Sequence, residues 1–262
     1  MVCFQFRSYL YSEMEWIDLP VVQVFIYALI TALATGLGAL PFFFIDNISD
    51  SFLGKSNAVA AGLMLAASYS LIFEGYNESE WMTISGMLAG VILVVLANKW
   101  LEGRSTPGLE DVVGGKRKQM LIFLGIMTVH SFAEGVSVGV SFASTMEFGA
   151  FIAIAIAIHN IPEGLAISLV MVPNGTSPMK AIWWSIFSSL PQPLMAIPAF
   201  LFVETFREYL PFGLGFAAGA MIWMVFADLV PEALEKCKPH TIGLWVTLAI
   251  LGMSAFQVLL GH

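Results

Sequence analysis

Of 262 residues, 58% are hydrophobic and only 11% are charged. A water-soluble surface on a chain of this size uses roughly 25% charged residues, so lipid must solvate much of this one. The net charge of −8, with no basic patch interleaved with aromatics, excludes nucleic acid as a partner, and Cys3 and Cys237, far apart near polar segments, exclude a disulfide framework and a cysteine-rich zinc site.

The opening stretch MVCFQFRSYLYSEMEWIDLP holds one Arg, three acids and no long apolar core. It does not read as a cleavable signal peptide, and residues 1–20 are expected to form an extracytosolic segment ahead of a membrane domain, 21–262. A hydrocarbon core about 30 Å thick needs roughly 20 apolar residues in an α-helix. Val21–Phe44 meets this, and Ala58–Phe73 and Trp81–Ala97 follow, short enough to borrow from their flanks. A loop at about 98–119 carries GRSTPG and GGKRK and reads as flexible and cytosolic. Met120–Ser141 and Phe148–Val172 come next, joined by a short turn around Thr145–Glu147, and then Ala181–Val203, Leu210–Val230 and Thr241–Leu260. The expectation is an all-α integral membrane protein with eight spans, since long apolar runs do not suit the alternating strands of a barrel.

Eight spans put both termini on one side. Lys55, Lys99, Arg104, Lys116, Arg117, Lys118, Lys180, Lys236 and Lys238 fall in the loops of one side, and only Arg7 and Arg207 on the other. The positive-inside rule places the nine in the cytosol and both termini outside it or in a lumen. An internal echo pairs Ala60-Ala61-Gly62-Leu63-Met64 in span 2 with Ala217-Ala218-Gly219-Ala220-Met221 in span 7. The two spans run in opposite directions, which fits an inverted-topology repeat. Close-packing sequence common to membrane helices explains the echo equally well.

Two spans carry the chemistry. Span 4 contains His130-Ser131-Phe132-Ala133-Glu134-Gly135, and span 5 contains His159-Asn160-Ile161-Pro162-Glu163-Gly164. Each is H-x-x-x-E-G, and positions i and i+4 share a helix face, so each span stacks an imidazole one turn from a carboxylate. One polar residue in a membrane helix is ordinarily interhelical glue worth about 0.6–2 kcal/mol. A carboxylate at mid-span costs about 2.5–3.5 kcal/mol, and meeting that cost twice, each time beside a histidine, points to a divalent metal. Nitrogen and oxygen donors suit Zn²⁺ and also Fe²⁺, Mn²⁺ or Cd²⁺, and two glutamates would neutralise the ion. Pro162 is expected to kink or open the helix beside His159, freeing carbonyls as further ligands. Asn160 and Ser131 face sideways from the His/Glu stripe and suit an adjoining site.

Met64 and Met221 offer thioethers or plain packing. Asp228 and Glu232, at i and i+4, suit either an exit site or an interfacial cap. Gln192, between Pro191 and Pro193, is expected at a disrupted helix with its amide available to a site. Glu74, Glu78 and Glu80 make an outer loop acidic, able to concentrate cations.

With HSFAEG and HNIPEG joined by TGLGALPFF, AAGLMLAAS and FAAGAMIWMVFADLVPEA, the chain resembles the ZIP (Zrt/Irt-like) family of metal ion transporters, in its GufA-like branch. The resemblance covers essentially all eight spans. It implies a 3+2+3 arrangement in which the first and last three helices are related by inversion, a ZIP-like transport domain over 21–262, and a homodimer. It also implies metal moving into the cytosol as cargo, zinc first, with no cofactor and no enzymatic activity. His130, Glu134 and Glu163 would be primary ligands, with His159 at the matching position on the second helix. Asn160 and Ser131 would border an adjacent second site, Met64 would approach the primary site, and Asp228 and Glu232 would fall among the cytosolic exit residues.

Two departures stand out. Gln192-Pro193 replaces the Glu-Pro of the branch, which should weaken a second metal site, and no histidine lies between Trp100 and Gln119, where many relatives have a run of them. A metal-binding scaffold or sensor without transport is the alternative reading. An intramembrane zinc hydrolase is a further one, disfavoured by only four histidines and no H-E-x-x-H. No ATP-binding G-x-x-x-x-G-K-[ST] occurs.

Overall fold

The computed structural model describes residues 19–45, 48–103 and 115–259. The expected segment 1–20 and the core of the loop at 98–119, with Arg7, Arg104 and Cys3, therefore fall almost wholly outside the described residues. Among those described, the regular structure is helical, with eight helices long and apolar enough to cross a membrane. They are Pro20–Phe43, Asp50–Glu78, Glu80–Trp100, Leu124–Ser144, Met146–Met171, Pro178–Thr205, Arg207–Lys236 and Pro239–Leu259, spans 1 to 8 below.

Several spans outrun the apolar stretches that mark them. Span 2 begins at Asp50, because Ser49 Oγ accepts from the Phe52 amide at 3.2 Å and Asp50 sits favourably in the first turn. Lys236, at the end of span 7, holds Asp50 at 3.1 Å. Span 6 is two helices, Pro178–Ser189 and Pro191–Thr205, broken at Leu190 where proline removes a backbone donor. Span 7 contains a π-helical turn, Val225–Leu229, between α-helical segments Leu210–Met224 and Val230–Lys236. Span 5, by contrast, runs unbroken through Pro162. The expected break does not open beside His159, and span 1 lies directly against the next turn at Gly164.

That contact is backbone to backbone. A Cβ on Gly164 would stand 1.7 Å from Thr35 O in span 1. Similar approaches pair the other spans: Gly135 of span 4 against Gln192 O of span 6 at 2.5 Å, Gly62 of span 2 against Val246 O of span 8 at 2.4 Å, and Gly219 of span 7 against Met87 O of span 3 at 2.2 Å. Lipid gives no hydrophobic drive between helices, so close approach through small residues is what joins them. Over an apolar 18-residue stretch of each, 72% of span 4 and 67% of span 5 is buried, against 22% of span 3 and 17% of span 8. The His/Glu helices are therefore the centre of the bundle and spans 3 and 8 its lipid-facing flanks, with Trp81, Leu88, Leu96, Leu244 and Leu251 exposed. Phe151, Ile152 and Ile156 of span 5 pack with Leu71 of span 2 and Leu214 and Met221 of span 7 in the main apolar core.

Candidate metal site

Ser144 ends span 4 and Met146 begins span 5, leaving Thr145 alone between them. Its hydroxyl accepts from the Phe148 amide at 3.1 Å and caps span 5. So short a turn forces the two helices antiparallel and adjacent, with their H-x-x-x-E stripes at similar depth. Glu134, His159 and Glu163 each bring a ligand atom to within 4.8 Å of the others, all three buried. His159 Nε2 lies 3.0 Å from Glu134 Oε1. The other Glu134 oxygen accepts from Gln192 Nε2 at 2.6 Å. Glu163 Oε1 and His159 Nδ1 are buried without a hydrogen-bond partner. Nearly all buried polar atoms in folded proteins are paired, so open valences on two neighbouring side chains mark a place for a ligand. Two buried carboxylates this close also repel each other, and a divalent cation between them reverses that.

His130 is in the same cavity but not in this triad. Its Nε2 is 3.2 Å from Asp228 Oδ2, yet the two are not aligned as a hydrogen bond and both atoms are otherwise unpartnered. The π-helical turn explains the approach. A π turn carries one extra residue, which rotates the following side chains by roughly 100° relative to a continuous α-helix. Asp228 sits in that turn and is brought across to span 4, rather than simply stacking on Glu232 as an α-helical face would have it. The cavity holding these groups has a volume of about 290 Å³ and runs from Glu134, His159 and Glu163 past Met64, His130 and Asp228 to Glu232 and Glu235. Glu235 is exposed, so one end reaches the surface. At the opposite end Ser144 hydrogen-bonds Glu74, Arg207 bonds the Ala143 carbonyl and meets Glu204 at 3.2 Å, and Tyr27 packs on Phe142 at 5.2 Å.

Three of the expected side chains are buried without lining the cavity. Asn160 donates from Nδ2 to Thr31 O at 2.9 Å and to Gln192 Oε1 at 3.2 Å, while Ser131 Oγ and Asn160 Oδ1 are buried and unpartnered. Gln192 turns its nitrogen, not its oxygen, toward the acid. Met221 takes a contact from Ser137 Oγ at 3.4 Å and packs in the core instead of lining the cavity.

A family model described as ZIP zinc transporter matches residues 104–260. The zinc transporter ZupT of Lysinibacillus sphaericus is 32% identical over 284 aligned positions, covering 90% of this chain and 98% of that one. The chain belongs to the ZIP zinc transporter family. Zinc transporter GufA of Myxococcus xanthus is 30% identical over 219 positions, 79% of this ZIP chain and 86% of that protein. An Arabidopsis thaliana protein named "putative zinc transporter" is 44% identical over 243 positions, 91% of this chain. This ZIP chain spans only 39% of the Arabidopsis protein's length.

Thr31 was not among the expected site residues of this ZIP chain. Thr31 and Thr35 are fully buried, one turn apart on a largely apolar helix, and the shared face turns toward spans 5 and 6. That i, i+4 threonine pair was a readable signal. Asn57 of span 2, fully buried beside Glu232, had no such signal.

Proposed function

We propose that the protein carries divalent zinc-class metal ions across its membrane into the cytosol, with Glu134, His159 and Glu163 as the central ligands. The observation that carries the reading is the buried triad with open valences on Glu163 and His159. The ion sheds water onto two carboxylates, which balance its charge, and an imidazole, which suits Zn²⁺ and its borderline neighbours over Mg²⁺ or Ca²⁺. His130 receives the ion next, together with Asp228, and Glu232 and Glu235 lead it out. Met64 fills the wall between. The names of the bacterial relatives support zinc as the cargo.

Under the positive-inside count, the end of the cavity at Glu235 faces the cytosol, and residues 1–20 lie outside it with the loop at 98–119 within. The contacts that tie the opposite end, Ser144 with Glu74 and Arg207 with the Ala143 carbonyl, support an inward-facing arrangement. A 3+2+3 organisation with inverted outer thirds belongs to the same reading. It is supported by the close contacts, since Gly62 of span 2 meets span 8 and its echo Gly219 of span 7 meets span 3. A two-fold exchanging spans 1–3 with 6–8 and span 4 with 5 requires that correspondence. Transport proceeds by one group of spans rocking or sliding against the other. A homodimer completes the proposal, as the family resemblance implies.

The test is short-time uptake of isotopic zinc into cells expressing the chain, beside Glu134→Ala and Glu163→Ala at matched surface levels. Uptake above control, abolished by both substitutions, is expected. A correctly inserted wild type that takes up neither zinc, iron nor manganese would move the reading to a binding scaffold.

A further inference from the structure

Spans 2 and 8 touch closely at Gly62, whose Cβ would stand 2.4 Å from Val246 O and 2.6 Å from the Ala249 side chain. One turn further on they part, and a groove of about 500 Å³ opens between them on the lipid-facing flank. Leu65, Tyr69 and Phe73 of span 2 form one wall and Ile250 of span 8 faces them. Tyr69 and Phe73, 67% and 57% exposed, stack at 6.4 Å and make the lip. Two polar side chains of span 8 also line this apolar groove. Ser70 donates to Gln257 Oε1 at 3.1 Å. The amide oxygen is thereby held, and the NH₂, with no partner among the described residues, is left for the groove that Gln257 lines. Ser254, about one turn deeper on the same wall, presents an exposed hydroxyl there too. Polar hydrogens facing hydrocarbon are costly without an acceptor. Ser70, which holds the amide, stands four residues, or about 6 Å, below Glu74. Glu74 is the first acid that span 2 meets at this end, so Gln257 sits where hydrocarbon gives way to headgroups.

We propose that this groove binds one glycerophospholipid of the leaflet on the Glu74 side, with an acyl chain between the Tyr69–Phe73 wall and Ile250 and an ester carbonyl accepting from Gln257 Nε2. One benzene fills about 150 Å³, so the groove takes on the order of 20 carbons, a single chain with its ester. Ester carbonyls accept and do not donate, which complements a free amide NH₂ and a hydroxyl. A second copy of this chain does not fit. In a two-fold contact the same patch meets itself, which would set groove against groove and NH₂ against NH₂. Leu65 lines this groove while its neighbour Met64 lines the metal cavity. Span 2 is the partition between the two, and the bound chain backs the cavity wall.

The test places the full-length protein in phosphatidylcholine vesicles doped with a phosphatidylcholine that carries a diazirine on one acyl chain. After photolysis and digestion the adducts are mapped and counted by mass spectrometry, with exposed Leu88 and Leu96 of span 3 as the standard for bulk lipid contact. Adducts on Leu65, Tyr69, Phe73 and Ile250 are expected to exceed that standard roughly fivefold, and Gln257→Leu to bring them down to it, the effect of about one hydrogen bond. Ser254→Phe fills the groove from span 8 and should remove the excess, while Leu251→Phe, outside the groove, leaves it unchanged. Labelling no denser in the groove than on span 3, or undiminished in either Gln257→Leu or Ser254→Phe, would overturn the proposal. Groove labelling below the span 3 standard would mean that protein, such as a second copy, covers this face, and would overturn it equally. The span 3 adducts report whether each variant is inserted, and the wild-type distribution decides the matter even where a variant is not.

Discussion

Glu163→Gln separates the ligand role of this side chain from its structural role more cleanly than any other change in the triad. Glu163 Oε1 has no hydrogen-bond partner, so the metal-free protein loses no bond through that atom. The substitution also removes one of two carboxylates that repel across a buried site. The metal-free variant is therefore expected to melt at or above the wild-type temperature. Binding suffers instead, because one charge of a buried, mutually compensating set is gone, a loss of about 3–5 kcal/mol and so roughly 10²- to 4 × 10³-fold in Kd. With zinc at 100 times the wild-type Kd, linkage stabilises the wild type by about 2.7 kcal/mol. A variant bound 100-fold more weakly gains about 0.4 kcal/mol by the same relation. For chains near this size each kcal/mol moves the midpoint by roughly 2–4 °C. Melting the purified protein with and without zinc should then show a shift of roughly 5–11 °C in the wild type and under about 2 °C in the variant. A zinc shift of wild-type size in Glu163→Gln, or a metal-free variant far less stable than the wild type, would refute the reasoning. Glu134→Gln is the informative contrast, since both its oxygens are held, by His159 and Gln192, and its loss should lower stability as well as affinity.

Acid should slow uptake, because imidazole and carboxylate bind metal only when deprotonated; initial rates that stay flat from pH 7.5 down to 5.5 would contradict the ligand set. Asp228→Asn removes the charge facing His130 at 3.2 Å and is expected to cut the uptake rate several-fold while equilibrium zinc affinity changes little. Gly164→Ala, whose Cβ would meet Thr35 O at 1.7 Å, should abolish expression at the surface, whereas Gly252→Ala, with nothing within 4 Å, should be tolerated; matched blots of the two read this directly. Excess Cd²⁺ should suppress zinc uptake and excess Mg²⁺ should not, since only the former accepts nitrogen as readily as oxygen.

The eight spans and the pairing of the two His/Glu helices were legible because both depend on local rules, apolar length and i, i+4 spacing. Those rules gave four side chains, His130, Glu134, His159 and Glu163, of which the last three lie together in the structure. What escaped were features set by contacts between distant segments. His130 and Glu134 share a face of span 4, yet only a π turn far away in span 7 decides that His130 meets Asp228. Nothing in VFADLVPEA announces that extra residue. The direction of the Gln192 amide depends on Thr31 and Asn160 together, each from a different span. Pro162 carries a strong local tendency to break its helix, yet span 5 continues through it, with span 1 packed against the next turn at Gly164.

The single-residue join at Thr145 also limits how an ion can be let go. Glu134 lies ten residues before Ser144, an arm of about 15 Å at 1.5 Å per residue. Opening the hairpin by only about 5° would swing that arm through about 1.3 Å, several times the roughly 0.2 Å tolerance of a metal–ligand distance. Tweezing spans 4 and 5 apart would thus drop the ion at once, wherever it happened to be. A hairpin this tightly pinned behaves as a cup with a fixed rim: the cargo keeps its seat while the walls around it change, and the direction of delivery is decided by which wall opens.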